Sequence, residues 1–124
     1  MKYEWGVCGP LLARVAFVTA LIAVSIGAVL DLGHSPVVRW NDKFEHIGAF
    51  ALLAFLACAA YPRAQRWQRV FARLLCFGLL IECLQWWLPW REFSLLDLAA
   101  DALGLCMVLA LPDVWIGRRP PESL

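Results

Sequence analysis

Charge is scarce in this chain. Of its 124 residues only 17% are Asp, Glu, Lys or Arg, while 62% are hydrophobic. Soluble domains are nearer one quarter charged and one half apolar, so a soluble fold of this composition would expose too much apolar surface. The few charges are also clumped between long apolar runs. Both facts point to an integral membrane protein of one domain spanning residues 1–124, without room for a separate soluble module. Histidine is scarcer still, with His34 and His46 only. There is no His-Glu-x-x-His metalloprotease pattern and no Gly-x-Ser-x-Gly elbow. The five cysteines (Cys8, Cys58, Cys76, Cys83 and Cys106) are odd in number and show no Cys-x-x-Cys spacing. They support neither a disulfide framework nor a zinc site, and in apolar runs they act as small hydrophobes. No repeat or low-complexity stretch is present.

What is abundant is apolar sequence in four lengths. A hydrocarbon core of ~30 Å needs ~20 helical residues. Candidate spans run over about 11–30, 44–61, 70–88 and 94–111, the last three stopping at Pro62, Pro89 and Pro112. The connections are short, so the expectation is an all-α bundle of four antiparallel transmembrane helices. The first run is expected to remain as a span rather than to be cleaved as a signal, because the residues around Ser25 make a poor cleavage site. The tail from Arg118 onward is expected to be disordered.

The basic residues set a direction. Lys2, Arg14, Arg63, Arg66, Arg69, Arg73, Arg118 and Arg119 fall on one side, and only Arg39, Lys43 and Arg91 on the other. By the positive-inside rule both termini are expected in the cytoplasm, with the chain in a bacterial inner membrane. The arginine loop reads as this topology signal, with ordinary contact to membrane lipids and no nucleic-acid partner. The acids reverse the pattern. Asp31, Asp42, Glu45, Glu82, Glu92, Asp97 and Asp101 all fall in the outer half.

Glu82, Asp97 and Asp101 sit inside segments that otherwise read as spans. One charge at mid-membrane costs ~2.5–3.5 kcal/mol on insertion scales, so such groups are kept when they pair, protonate or serve a function. Glu82 and Asp101 are each ~9 Å below the outer end of their helix at 1.5 Å per residue. Ser94, Asp97, Asp101 and Gly104 form one helical stripe, and Gly78, Glu82 and Gln85 form a matching one. Glycine on such a stripe lets helices approach closely. The candidate site therefore gathers Asp42, Lys43, His46, Glu82, Gln85, Arg91, Ser94, Asp97 and Asp101 in an outer-leaflet cleft. His34 is expected to be an ordinary loop residue. Trp86, Trp87 and Trp90 read as an interfacial belt on the same side as Trp40, with sugar stacking as the alternative use. Trp5, Trp67 and Trp115 fit the opposite interface.

The ordered set Asp42-Lys43-x-x-His46, Glu82-x-x-Gln85, Pro89-x-Arg91-x-x-Ser94-x-x-Asp97 and Gly104 resembles the VanZ-like membrane proteins. The founding member of that family is associated with teicoplanin resistance. The resemblance covers roughly half of the chain. It implies a small envelope membrane protein but no defined reaction, and resistance is not carried over. The family pattern leads us to expect asparagine where this chain has Asp101.

The leading expectation is that the outer site binds a cell-envelope lipid or glycan component, with Lys43, His46 and Arg91 facing phosphate and the acids accepting from hydroxyl or ammonium groups. Three alternatives remain. An intramembrane enzyme would use His46 as acid or base and Glu82 as base, and acids with a histidine also suit a divalent metal. A structural ion-pair network would only hold the bundle, although buried ion pairs stabilise weakly. Proton or solute transport would require a homo-oligomer, because four short helices make a poor pore. No catalytic residue, metal or other cofactor is assigned.

Overall fold

The computed structural model describes residues 8–30, 36–61 and 67–111, without the side chains of residue 8 and of 36–41. Expectations resting on Lys2, Trp5, Asp31, His34, Arg63, Arg66, Trp115, Arg118 and Arg119, and on the side chains of Arg39 and Trp40, lie outside the described residues. The described chain is all helical: α1 Cys8–Val29, α2 Pro36–Ala60, α3 Trp67–Trp87 and α4 Leu95–Leu109.

The four expected segments are present with shifted ends. α2 begins at Pro36 rather than near Phe44. Proline is accommodated there because the first turn needs no N–H. α3 ends at Trp87, before Leu88 and Pro89, because the residue preceding a proline disfavours helical geometry. Three segments are long and apolar enough to cross a membrane: Gly9–Val29, Asp42–Ala60 and Trp67–Trp87. α4 has 15 residues, which at 1.5 Å each is ~22 Å, short of a ~30 Å core.

Burial is inverted relative to a soluble protein. Leu11, Leu12, Val15, Val18, Ile22 and Ile26 of α1 are exposed, as are Leu80, Leu95, Leu96 and Met107. Glu82, Gln85, Asp97 and Asp101 are buried. Exposed leucines singly need no explanation, but a whole apolar periphery around buried acids is what a lipid solvent selects. Cys76, Cys83 and Cys106 are unpaired and exposed on the same periphery.

α2 is the central helix. It packs on α1, α3 and α4, and α1 does not touch α4. Residues at the end of α1 meet the end of α3, and the start of α2 meets the start of α4. α1 and α3 thus run one way, α2 and α4 the other. The core between them is Phe50, Leu53, Ala54, Ala57, Cys58, Val70, Leu74, Leu105 and Leu109. Gly104 is where α4 lies directly on the α2 backbone, since a Cβ there would meet the Ile47 carbonyl oxygen. At Gly78 a Cβ would come 2.5 Å from Asp101 Oδ2. The two glycines of the polar stripes thus leave no room for a side chain, Gly104 against the α2 backbone and Gly78 against the Asp101 and Phe50 side chains.

At one end Arg14 donates from Nε to the Ala60 carbonyl at 3.2 Å and lies 5.1 Å from the centre of the Tyr61 ring. It supplies a cation and a donor to the carbonyl end of α2, where helix geometry leaves acceptors unfilled.

Candidate functional site

The polar residues collect at the opposite end, and local helix rules explain much of the arrangement. Ser94 is the N-cap of α4, with extended backbone (φ −133°, ψ 114°) and its side chain accepting from the Asp97 N–H. The Ser94 N–H in turn donates to Glu82 Oε2 at 3.0 Å. Glu82 thereby ties the α3–α4 turn by accepting a backbone N–H at the start of α4. Three links then cross between α2 and the α3–α4 pair. Lys43 Nζ meets Asp97 Oδ1 at 3.3 Å, His46 Nδ1 meets Asp101 Oδ1 at 2.7 Å, and Arg91 Nη1 lies 3.5 Å from Asp42 Oδ1.

The carbonyl end of α1 is capped from α3 and its following turn. Gln85 Nε2 donates to the Ala28 carbonyl at 3.1 Å and Trp90 Nε1 to the Val29 carbonyl at 3.1 Å. Arg91 Nη2 donates to the carbonyls of Gly27 and Leu30 at 3.2 and 3.3 Å. The end of α1 leaves these carbonyls without intrahelical donors, and the side chains fill them. The Arg91 fork, expected to face a phosphate, is thus largely spent on α1 and Asp42.

Between α1, α2 and α3 lies a cleft of about 150 Å³. Its lining combines apolar Val24, Ala28, Ala49, Phe50 and Ile81 with polar Asp42, Glu45, His46, Gln85 and Arg91. Four of the nine expected residues, Asp42, His46, Gln85 and Arg91, line it. Lys43, Glu82, Ser94, Asp97 and Asp101 do not; they join α2, α3 and α4. Glu45 and the α1 residues Val24, Gly27 and Ala28 were not among the expected site residues. For Glu45 a signal exists: Asp42, Glu45 and Ala49 are spaced three and four apart and share a face. For α1 the sequence offers no clear signal, since small residues such as Ala20, Ala23, Ser25, Gly27 and Ala28 recur along it.

Two acceptor atoms are left over. Glu82 Oε1 and Asp101 Oδ2 are buried and have no hydrogen-bond partner among the described residues, in residues of 0% exposure. A buried polar atom without a partner costs ~1–3 kcal/mol, more if charged. Asp42, His46 and Asp97 also offer ligand atoms that all lie within 4.8 Å of one another, and imidazole with carboxylate is a donor set for borderline divalent ions.

A profile of the VanZ/LLP1 family matches residues 11–115, which covers all four helices apart from the first residues of α1. The chain belongs to the VanZ/LLP1 family. The paired motifs on α2, α3 and α4 of this VanZ/LLP1 chain are the same ones that build the network above. An uncharacterized protein of Schizosaccharomyces pombe is similar to it, with 29% identity over 102 residues. That match takes in 80% of this chain and 63% of the yeast protein, so the chain spans less than two thirds of that relative. No solved structure matches the chain.

Proposed function

We propose that this VanZ/LLP1 protein crosses a bacterial inner membrane four times with both termini inside, and that its cleft binds the head group of a lipid-linked envelope molecule from the outer leaflet. The observation that carries this reading is the mixed lining of the cleft, where apolar Val24, Ala49, Phe50 and Ile81 stand beside polar Asp42, Glu45, His46 and Gln85. At about 150 Å³ it is well below the ~300–1,000 Å³ of sites that engulf a drug-sized ligand, so it suits a head group whose chains stay in the bilayer.

The charge around the cleft selects among head groups. Asp42 and Glu45 line it, and Arg91 is already engaged by Asp42 and by α1 carbonyls. A bare phosphate would meet carboxylates with little free cation to balance them. Hydroxyl and ammonium groups would find acceptors, so a glycosylated or aminated lipid is the favoured class.

Ligand-induced stabilisation tests this. In phosphatidylcholine nanodiscs a glycosyl or aminoacyl lipid is expected to raise Tm, by the equivalent of ~2.7 kcal/mol at one hundred times Kd. Phosphatidic acid should not. Ala49→Leu, which fills the cleft without touching any ion pair, should abolish the shift. A shift that persists in Ala49→Leu would remove the cleft from the account.

A second reading has its own support: each of the nine expected residues takes part in a link within the bundle. Under that structural reading no lipid shifts Tm.

Orientation is tested on α3, whose two ends are exposed at Gln68 and Trp87. In a background lacking the native cysteines, Trp87→Cys should react with an impermeant maleimide on intact cells. Gln68→Cys should react only after permeabilisation. The reverse pattern would move the cleft to the inner leaflet.

A further inference from the structure

We infer that Asp42, His46 and Asp97 form a binding site for one divalent transition-metal ion of the Mn²⁺ or Zn²⁺ class, with Asp101 as the carboxylate that orients the histidine. The inference goes beyond the head-group reading and does not depend on it.

Three observations converge. First, ligand atoms from α2 and α4 already lie within 4.8 Å of one another. Ligands bound at ~2.1 Å sit ~3.0–3.5 Å apart, so closure of ~1–2 Å about an ion is needed. Asp42 and Asp97 can supply it by side-chain rotation.

Second, His46 is held as metal-bound histidines are held. Its Nδ1 lies 2.7 Å from Oδ1 of Asp101, which is fully buried behind it. A carboxylate on Nδ1 takes the ring proton there and leaves the Nε2 lone pair for a metal. Asp101 is otherwise hard to explain. Its Oδ2 is buried without a partner, directly against Gly78, and an apolar residue would pack that space without loss of solvation.

Third, the charges do not balance. Asp42, Glu82, Asp97 and Asp101 share this end of the bundle with the cations Lys43 and Arg91. Each cation addresses a single oxygen of its acid, at 3.3 and 3.5 Å. Acidic side chains thus outnumber basic ones here, the more so with Glu45 in the cleft, and a divalent ion would suit that excess. Asp42 and His46 also line the cleft, so a bound ion would have open positions facing it.

Mn²⁺ titration of the full chain in neutral-lipid nanodiscs tests the inference, with free Mn²⁺ read by electron paramagnetic resonance. The wild type should bind one ion per chain. Asp97→Asn and His46→Ala should lose that binding. Asp101→Asn should weaken it ~10–100-fold, the usual effect of losing an outer-shell partner. Lys43→Gln should tighten it, because it removes the cation that competes for Asp97. Glu92→Gln, on an exposed residue outside the trio, should leave it unchanged. Absence of saturable binding in the wild type would overturn the site. So would binding of equal strength in Asp97→Asn and Lys43→Gln, which also holds if His46→Ala does not fold.

Discussion

His46→Leu is expected to lower stability by ~3–5 kcal/mol, the range for leaving a buried carboxylate without its partner. Asp101 is fully buried, and among the described residues its hydrogen bond is to His46 Nδ1. Without that ring both carboxylate oxygens would be stranded between α2, α3 and α4. The loss is a large fraction of the stability of a typical domain, ~5–15 kcal/mol. The double variant His46→Leu with Asp101→Leu should recover most of it, because an apolar pair of similar volume often replaces a buried ion pair without loss. Asp101→Asn should fall between, since the amide oxygen can still accept from Nδ1 while the amide NH₂ gains no partner. Reversible unfolding in mixed micelles measures all three. A double variant as unstable as His46→Leu alone would mean that the pair does more than satisfy itself.

Gly104→Leu is expected to remove folded protein from the membrane. The added Cβ would fall on the Ile47 carbonyl oxygen and within 3.1 Å of the Ala51 nitrogen. Neither can turn aside, because both belong to the α2 backbone. Overpacking a core costs ~1–3 kcal/mol when side chains absorb it, and here the helices themselves must part. Separation would also break the Lys43–Asp97 and His46–Asp101 links on the same interface. The contrast is Gly48, also within α2, where a Cβ meets nothing within 4 Å. Gly48→Ala should be neutral or stabilising by ~0.5–1 kcal/mol, the helical preference for alanine. Membrane abundance and Tm of the two variants give the comparison, and equal behaviour would contradict the α2–α4 packing.

Much of this was legible in the sequence because one solvent imposes one rule. In lipid the polar residues turn inward, so the stripes Gly78-Glu82-Gln85 and Ser94-Asp97-Asp101-Gly104 mark the buried faces of α3 and α4. The partners of those acids on α2 were also legible, as Lys43 and His46 lie three apart on one face. What sequence could not assign was the use of each polar group. Arg91 and Gln85 have the chemistry of ligand-binding residues, yet they cap the carbonyl end of α1. That need arises from where α1 stops, not from anything encoded near Arg91. The cleft itself was hidden for a similar reason. It depends on α1 leaning against α2 and α3, and α1 is apolar on all sides, with no polar stripe to say which face turns inward. α4 was expected to be longer because its apolar run continues to Leu111, while the helix closes at Leu109 with Ala110 as its C-cap.

The proposal that the cleft is occupied from the membrane has one direct measurement. Native mass spectrometry of protein extracted with its surrounding lipids should find one lipid class enriched over the bulk membrane, glycosylated or aminated in its head group, and should find it lost in Ala49→Leu. The same lipid profile in the wild type and in Ala49→Leu, matching the bulk membrane in both, would contradict the account and leave the polar network as a device that only holds four helices together.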